Sequence, residues 1–428
     1  MTVGVCVSLL VVPKAGVFVA AGVPLQLSVV VGQVLAIVGW LVVLRRPNSI
    51  EPQLGLALLG VCSVVWIGHF VVLLEFGDFD GLRPLARAAF NLLAVSALGV
   101  AFWVGRRVPV ELLIRGVRYS FYALLLYAIA QILLGPETVA IRYVTAGYES
   151  VFDEVLRSSN VLQRVDRSSV KIFGTYQNGN LFAVALLLIG PIAIWSERRV
   201  PVRIVALIAV HIVMIYAAST AGYIGLLVWD VLLLLGQPKL RRYVPIVVAA
   251  GCVAIGVGAA ASVCQQGSCR AADLLDAKLF ERDFTQNARW NKLGDWLERV
   301  EEQPWRLLVG EMSDLSATPI FESLPFSFAQ NYGLPATVLF YLFVLSMLRP
   351  WRLRPYKFGV VGYLVMSIGS GGFWLAPTPY VLGLVLGVAY VLDRHELRRI
   401  RTAGREGALL GPDDPRSTIA SNQRWAQS

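Results

Sequence analysis

Long apolar runs recur from one end of this chain to the other, and they constrain the fold more than any other feature. A bilayer core about 30 Å thick is crossed by about 20 mostly apolar residues in helical form. Composition agrees with that reading. The chain is 56% hydrophobic and 15% charged, where a soluble domain carries about 25% charged residues. A soluble globular protein is therefore excluded. The expected fold is all-α, a polytopic membrane helical bundle of about 12 transmembrane helices. The predicted spans are 3–22, 25–44, 53–74, 84–104, 119–135, 172–195, 203–218, 219–236, 244–263, 326–348, 358–374 and 376–392.

The net charge of +10 suggests a basic partner surface until the charges are placed. Every second connection carries the basic residues: Arg45 and Arg46, then Arg106, Arg107, Arg115 and Arg118, then Arg198, Arg199 and Arg203. Lys239, Arg241 and Arg242 continue the alternation, followed by Arg349, Arg352, Arg354 and Lys357, and by Arg394, Arg398, Arg399 and Arg401. By the positive-inside rule these connections are cytoplasmic, which puts both termini inside. The parity needs an even number of spans. Its weak point is 203–236, where only Ser219 and Thr220 separate two apolar runs.

The first residues lack a basic n-region and are interrupted by Pro13 and Lys14, so they read as a broken first span and not as a cleavable signal. Residues 1–395 form the bundle, and the polar segment 396–428 is expected to be a disordered cytoplasmic tail. Two external loops are long, 136–171 and 264–325. The first is balanced in charge and the second has an acidic excess. Neither is a nucleic-acid surface, which needs clustered positive charge. No internal repeat is visible, which argues against an inverted-repeat transporter. Cys6, Cys62 and Cys252 lie in apolar runs, where Cys behaves as a small hydrophobe. Cys264 and Cys269 stand close in a polar stretch. They read as a local disulfide if the loop faces an oxidising compartment, and as free thiols otherwise.

The external loops are where chemistry is expected. In 287–300, Trp290, Leu293, Trp296, Leu297 and Val300 fall at helical spacing, with Arg289, Lys292, Asp295 and Arg299 largely off that stripe. This predicts an amphipathic helix that rests on the membrane surface or caps the bundle. In the first loop Arg164, Arg167 and Lys171 lead into the outer end of a span, where Gln177, Asn178 and Asn180 follow. Amides at membrane depth are costly unless they bind something. Cations beside them suit an anionic head group, and the planar fork of Arg suits a diphosphate. Two plainer readings stand beside these: a helix with solvated charges, and a set of snorkelling anchors.

Four motifs resemble a known family. Gly174-Thr-Tyr-Gln-Asn-Gly-Asn180-Leu-Phe-Ala183 looks like the segment that opens a middle span in bacterial O-antigen polymerases and O-antigen ligases. Ser219-Thr-Ala-Gly222-Tyr-Ile-Gly225 resembles the next signature, without the Arg often found just after the Ser. Arg289, Trp290, Trp296, Pro304 and Leu308-Val-Gly310 are similar to the large-loop pattern, and Glu322 with Asn331-Tyr332-Gly333-Leu334-Pro335 looks like its close. The resemblance implies a glycosyltransferase that needs neither metal nor cofactor. Its substrate would be an undecaprenyl-diphosphate-linked glycan at the outer face of the bacterial plasma membrane, and a chain-length regulator is a possible partner beside the lipid bilayer.

External Arg residues would then grip the diphosphate, which is also the leaving group. Arg167 and Arg289 match the motif positions, with Arg164, Lys171 and Arg282 as further cations. Gln177, Asn178, Asn180 and Tyr332 are substrate-binding candidates. Ligases of the family carry a His in the large external loop. This chain has His69 and His211 in spans and His395 past the last one, which favours polymerase over ligase and leaves Glu322 as the candidate base. His69, His211 and Asp230 read as satisfied polar groups inside the bundle. Two rival readings are a glycosyltransferase using the acidic Glu75, Asp78 and Asp80 in an early loop, and a lipid-linked glycan flippase.

Overall fold

The computed structural model describes residues 2–20, 23–45, 108–141, 144–145, 172–176, 179–217, 219–236, 241–249, 288–310, 323–348, 354–368 and 377–409. The predicted spans 53–74 and 84–104, and most of 244–263, lie outside them.

The chain opens with α1 (Thr2–Cys6), which continues through a π-helical stretch, Val7–Val11. The expected span 3–22 ends there. An antiparallel hairpin follows, β1 (Gly16–Ala20) against β2 (Val23–Gln26), paired from Gly16↔Gln26 to Ala20↔Val23. Pro13 cannot continue a helix, and Val17, Phe18 and Val19 favour extended backbone. The all-α expectation is corrected to this extent.

Nine further helices are described: α2 (Leu27–Arg45), α3 (Val110–Leu134), α4 (Gly179–Ser196), α5 (Val200–Ala217), α6 (Thr220–Leu235), α7 (Ala288–Glu302), α8 (Arg306–Val309), α9 (Leu324–Tyr332) and α10 (Leu334–Leu348). Two more, α11 (Phe358–Ile368) and α12 (Thr378–Leu409), follow, with a short helical turn at Pro136–Val139 after α3 and 3-10 turns at Arg241–Tyr243 and Pro355–Lys357. Three of them, α3, α4 and α5, are long and apolar enough to cross a membrane.

The structure moves several predicted boundaries. The span expected at 119 begins at Val110, so Arg115 and Arg118 belong to the helix, where long side chains carry their charge to the interface. The single span expected over 326–348 is broken at Gly333, whose φ of +84° an L side chain rarely adopts. Pro335 then sits in the first turn of α10, where its missing N–H costs nothing. At the far end α12 runs to Leu409, so residues 396–409 of the expected disordered tail are helical. That stretch is rich in Leu, Ala, Glu and Arg, all good helix formers.

Packing is organised around α4, which touches α3, α5, α6, α11 and α12. Its apolar window is 83% buried, against 28% for α5. A helix that is apolar all round belongs inside a bundle. Residues 378–392 of α12 are likewise buried without a break. The outer helices are two-faced in the opposite sense from a soluble protein. On α5, Ala206, Val210, Val213 and Ala217 face inward, while Ile204, Val205, Ile208, Ile212 and Ile215 are 45–65% exposed. On α3, Leu126 and Leu133 are 68% and 75% exposed. Stripes of this kind mark a large apolar surface that water does not tolerate and lipid does. Close helix contact comes from glycine: a Cβ on Gly362 of α11 would lie 2.7 Å from the Gly225 carbonyl of α6.

Long-range contacts sort the helix ends into two groups. One gathers the basic connections. There the Tyr122 hydroxyl donates to Glu197 at 3.1 Å, Arg118 lies 3.9 Å from the same carboxylate, and Arg203 donates to the Glu197 carbonyl at 2.6 Å. Lys357, expected in a loop, is fully buried. Its Nζ lies 2.6 Å from Asp393 Oδ2 and donates to the Leu348 carbonyl at 2.7 Å, while the Tyr356 hydroxyl donates to Asp393 Oδ1 at 2.5 Å. These bonds tie the end of α10 and the start of α11 to α12.

Candidate functional site

The other group of helix ends holds the motif residues. Ahead of α4, Ile172 N–H donates to the Tyr216 carbonyl at 3.1 Å, which fixes the chain to the end of α5. Gly174 then turns with φ +56°. Its backbone is clamped by the buried Gln131 side chain of α3: Gly174 N–H donates to Oε1 at 2.8 Å and Nε2 donates to the Gly174 carbonyl at 3.1 Å. A Cβ on Gly174 would also strike the Phe182 ring at 2.5 Å. The next turn is anchored by Tyr176, whose hydroxyl donates to the Leu10 carbonyl at 2.8 Å. Asn180 lies half-buried in the first turn of α4.

The second motif packs onto the first. Ser219 caps α6, its Oγ accepting from Gly222 N–H at 3.1 Å. This cap separates the two apolar runs of 203–236, so α5 and α6 are distinct helices. Gly222 faces Ala183 so closely that an added Cβ would lie 2.9 Å from the alanine Cβ.

The third and fourth motifs pair in the same way. The predicted amphipathic helix is present as α7, and Trp296 and Val300 pack with Ala329 of α9 and with Leu307. Leu297, expected on that stripe, is 46% exposed; among the described side chains of α7 the buried apolar pair is Trp296 and Val300, at i, i+4 spacing. Beyond α8, Gly310 (φ +80°) abuts the Asn331 carbonyl, and Gly333 (φ +84°) abuts the Leu308 carbonyl. Each glycine admits the other segment's backbone where any side chain would collide. Tyr332 is 3% exposed, with its ring 4.6 Å from that of Phe328, so the ring is a packing element of α9.

Of the expected site residues, Asn180 and Tyr332 are described, and Arg289 is described as a position in the first turn of α7. Arg164, Arg167, Lys171, Gln177, Asn178, Arg282, Glu322, Cys264 and Cys269 lie outside the described residues, as do Glu75, Asp78, Asp80 and His69. Sequence reasoning passed over Gln131. Its signal was available: a lone amide deep in an apolar run needs a partner.

Away from this end, His211 of α5 donates Nδ1–H to the Leu207 carbonyl at 2.8 Å, and its Nε2 lies 2.9 Å from Asp230 Oδ2 of α6. The two groups expected to be satisfied inside the bundle satisfy each other, at the margin of the bundle. No family model, curated protein or solved structure matches this chain.

Proposed function

We propose that the chain is a membrane glycosyltransferase that polymerises undecaprenyl-diphosphate-linked oligosaccharide repeat units at the outer face of a bacterial plasma membrane. The observation that carries this reading is the pairwise packing of four separated motifs at the end of the bundle away from the basic connections. The first two lock through Gly222 and Ala183, the last two through Gly310 and Gly333. By the positive-inside rule the basic end is cytoplasmic, which leaves the motif end outside and both termini within.

In this reading Arg289 and Arg167 hold the diphosphate, helped by Arg164, Lys171 and Arg282. A sugar hydroxyl of the acceptor attacks the anomeric carbon. The bond from that carbon to the diphosphate oxygen breaks, the carrier diphosphate leaves, and Glu322 takes the hydroxyl proton. Charge grows on the leaving diphosphate, so fixed cations lower the barrier.

Incubating purified protein with lipid-linked repeat units tests the proposal. A ladder of products supports polymerisation, and a single transfer to another lipid marks the ligase-type reaction. Arg289→Ala and Arg167→Ala are expected to abolish chain extension at normal expression, and Glu322→Gln to slow transfer more than it weakens carrier binding. Polymer of wild-type length from both Arg variants would remove the site. One observation favours a second reading, transport of a lipid-linked glycan: the hydrogen-bonded His211–Asp230 pair part-way along two apolar helices. Movement of substrate across liposomes without new glycosidic bonds would establish it.

A further inference from the structure

Among the described residues, four of the nine buried side-chain polar atoms with no hydrogen-bond partner lie in or beside the motif segments, the others being spread over the bundle. Thr175 Oγ1 of the first, Trp296 Nε1 of the third, and Ser323 Oγ and Gln330 Oε1 beside the fourth all lack one. The last two share one helix. Ser323 precedes α9, and Ser327 and Gln330 follow it four and seven residues on. At about 100° per residue the three fall within roughly 60° of one another on one face. They are 9%, 3% and 4% exposed. Asn331, at the margin of that face, reaches Ser327 Oγ only at 3.4 Å. The opposite face is apolar: Leu324, Phe328 and Tyr332 are buried in the core, with Phe328 stacked on Phe340 at 4.8 Å.

So α9 has a polar face that is withdrawn from solvent, on which Ser323 Oγ and Gln330 Oε1 lack partners while Ser327 Oγ accepts only the long bond from Asn331. Each unmade bond to a buried polar group costs about 1–3 kcal/mol. Natural interiors keep few such atoms, and those they keep need a reason. The chemistry of the face is specific. Hydroxyls and carboxamides both donate and accept, and the face carries no charge. That set complements the hydroxyls of a sugar ring. It is poor for a phosphate, which calls for cations. The face is also held rigid, because the mutual lock of Gly310 and Gly333 fixes the end of α9.

We infer that Ser323, Ser327 and Gln330 form a binding face for an uncharged, hydroxyl-rich ligand, a sugar residue of the acceptor glycan. This rests on the proposed glycan-handling function and deepens it. The acceptor is favoured over the donor because Ser323 directly follows Glu322, the residue proposed to take the acceptor proton.

The test uses full-length purified protein and two probes: undecaprenyl diphosphate, and the neutral glycan released by mild acid from the lipid-linked repeat unit. Gln330→Leu should weaken glycan binding about tenfold, leave undecaprenyl diphosphate binding unchanged, and leave the unliganded melting temperature unchanged or raised. A rise follows if an unmet polar group is removed; a merely structural hydrogen bond would give a fall. Ser323→Ala should weaken glycan binding by a smaller factor, and it decides the matter if Gln330→Leu does not fold. Unchanged glycan affinity in the folded variants, or no glycan binding by the wild type, overturns the inference. Polymer formation by the wild type is scored separately. Its absence counts against the proposed function, whereas polymer formation with unaltered acceptor dependence in the variants counts against the sugar face alone.

Discussion

The two ends of this bundle solve the same problem in opposite ways. Both bring polar groups to the margin of an apolar core. At the basic end the groups close on one another: Lys357 is spent on Asp393 and the Leu348 carbonyl, and Glu197 takes bonds from Tyr122 and Arg203 while lying beside Arg118. At the motif end the backbone is held with equal care, by Gln131 on Gly174 and by two positive-φ glycines, yet side chains such as Thr175, Ser323 and Gln330 are left short of partners. Satisfied polar clusters make a rigid joint. An under-satisfied cluster on a rigid frame has unspent bonding capacity, which is what a binding site needs. The difference predicts that changes at the basic end act on stability, and that changes at the motif end act on activity beyond their effect on stability.

The largest effect is expected at the basic end. Lys357→Met removes the cation placed against Asp393 and strands a mostly buried carboxylate. The cost should be about 3–5 kcal/mol, the scale for halving a buried ion pair. Denaturation in detergent measures it. The double variant Lys357→Met, Asp393→Leu should recover much of the loss, because desolvation no longer opposes folding. Whatever protein folds should polymerise at the wild-type rate. A selective loss of activity in the folded fraction would erase the contrast between the ends.

Next comes Gly333→Ala. An alanine there must adopt a backbone that L residues rarely take and must push its Cβ into the Leu308 carbonyl. A loss of about 2–3 kcal/mol is expected from strain alone, together with loss of polymer, since α9 and α8 could no longer keep their contact. A wild-type melting temperature and wild-type polymer would mean that the lock between the third and fourth motifs does not exist.

Gln131→Leu sharpens the comparison at smaller scale. It leaves the Gly174 N–H and carbonyl buried without their partner, at about 1–3 kcal/mol. The turn it loosens leads into Gln177, Asn178 and Asn180, so turnover should fall further than the stability change explains. Polymer output that merely tracks the folded fraction would reduce Gln131 to a packing residue.

How much of this could be read in advance depends on whether the determining contact is local. The apolar runs gave α2, α4, α5, α6 and α10–α12 because a helix in lipid satisfies its own backbone. Ser219 was legible as a break because a Ser cap acts on the residues just beyond it. The α7 helix was legible from periodicity, although Leu297 shows that a stripe does not say how wide a partner surface will be. The contacts that were missed are distant in sequence. Nothing near Lys357 announces Asp393, and nothing near Gln131 announces Gly174. Gly333 hid within an apolar run because its reason for being glycine is the Leu308 carbonyl across a loop. The hairpin that replaced the first span turned on Pro13, a residue whose disruption was visible but whose outcome was not. The functional residues named from sequence fall mostly in segments outside the described residues, so the contrast between the ends rests on the frame beneath them.

The smallest effect concerns pH at the basic end. Glu197 sits between α4 and α5, and its carboxyl is held below its ordinary value, first by the Arg199 backbone N–H at 3.1 Å, then by the Tyr122 hydroxyl and the Arg118 charge, against an opposing contribution from burial. A depressed folded-state pKa means that the ionised form is favoured by folding. Its contribution is therefore complete above the ordinary carboxylate value of 4.5 and is lost as pH falls through the lower folded value. Such a partly open arrangement contributes less than about 1 kcal/mol. Glu197→Gln should melt slightly below wild type at pH 7, and the gap should close on acidification below 4.5. Polymer formation at pH 7 should be untouched by the substitution. A gap that persists in acid would mean that Glu197 acts through packing and not through its charge. The basic end would then be a joint held by shape, and its contrast with the motif end would lie in geometry alone.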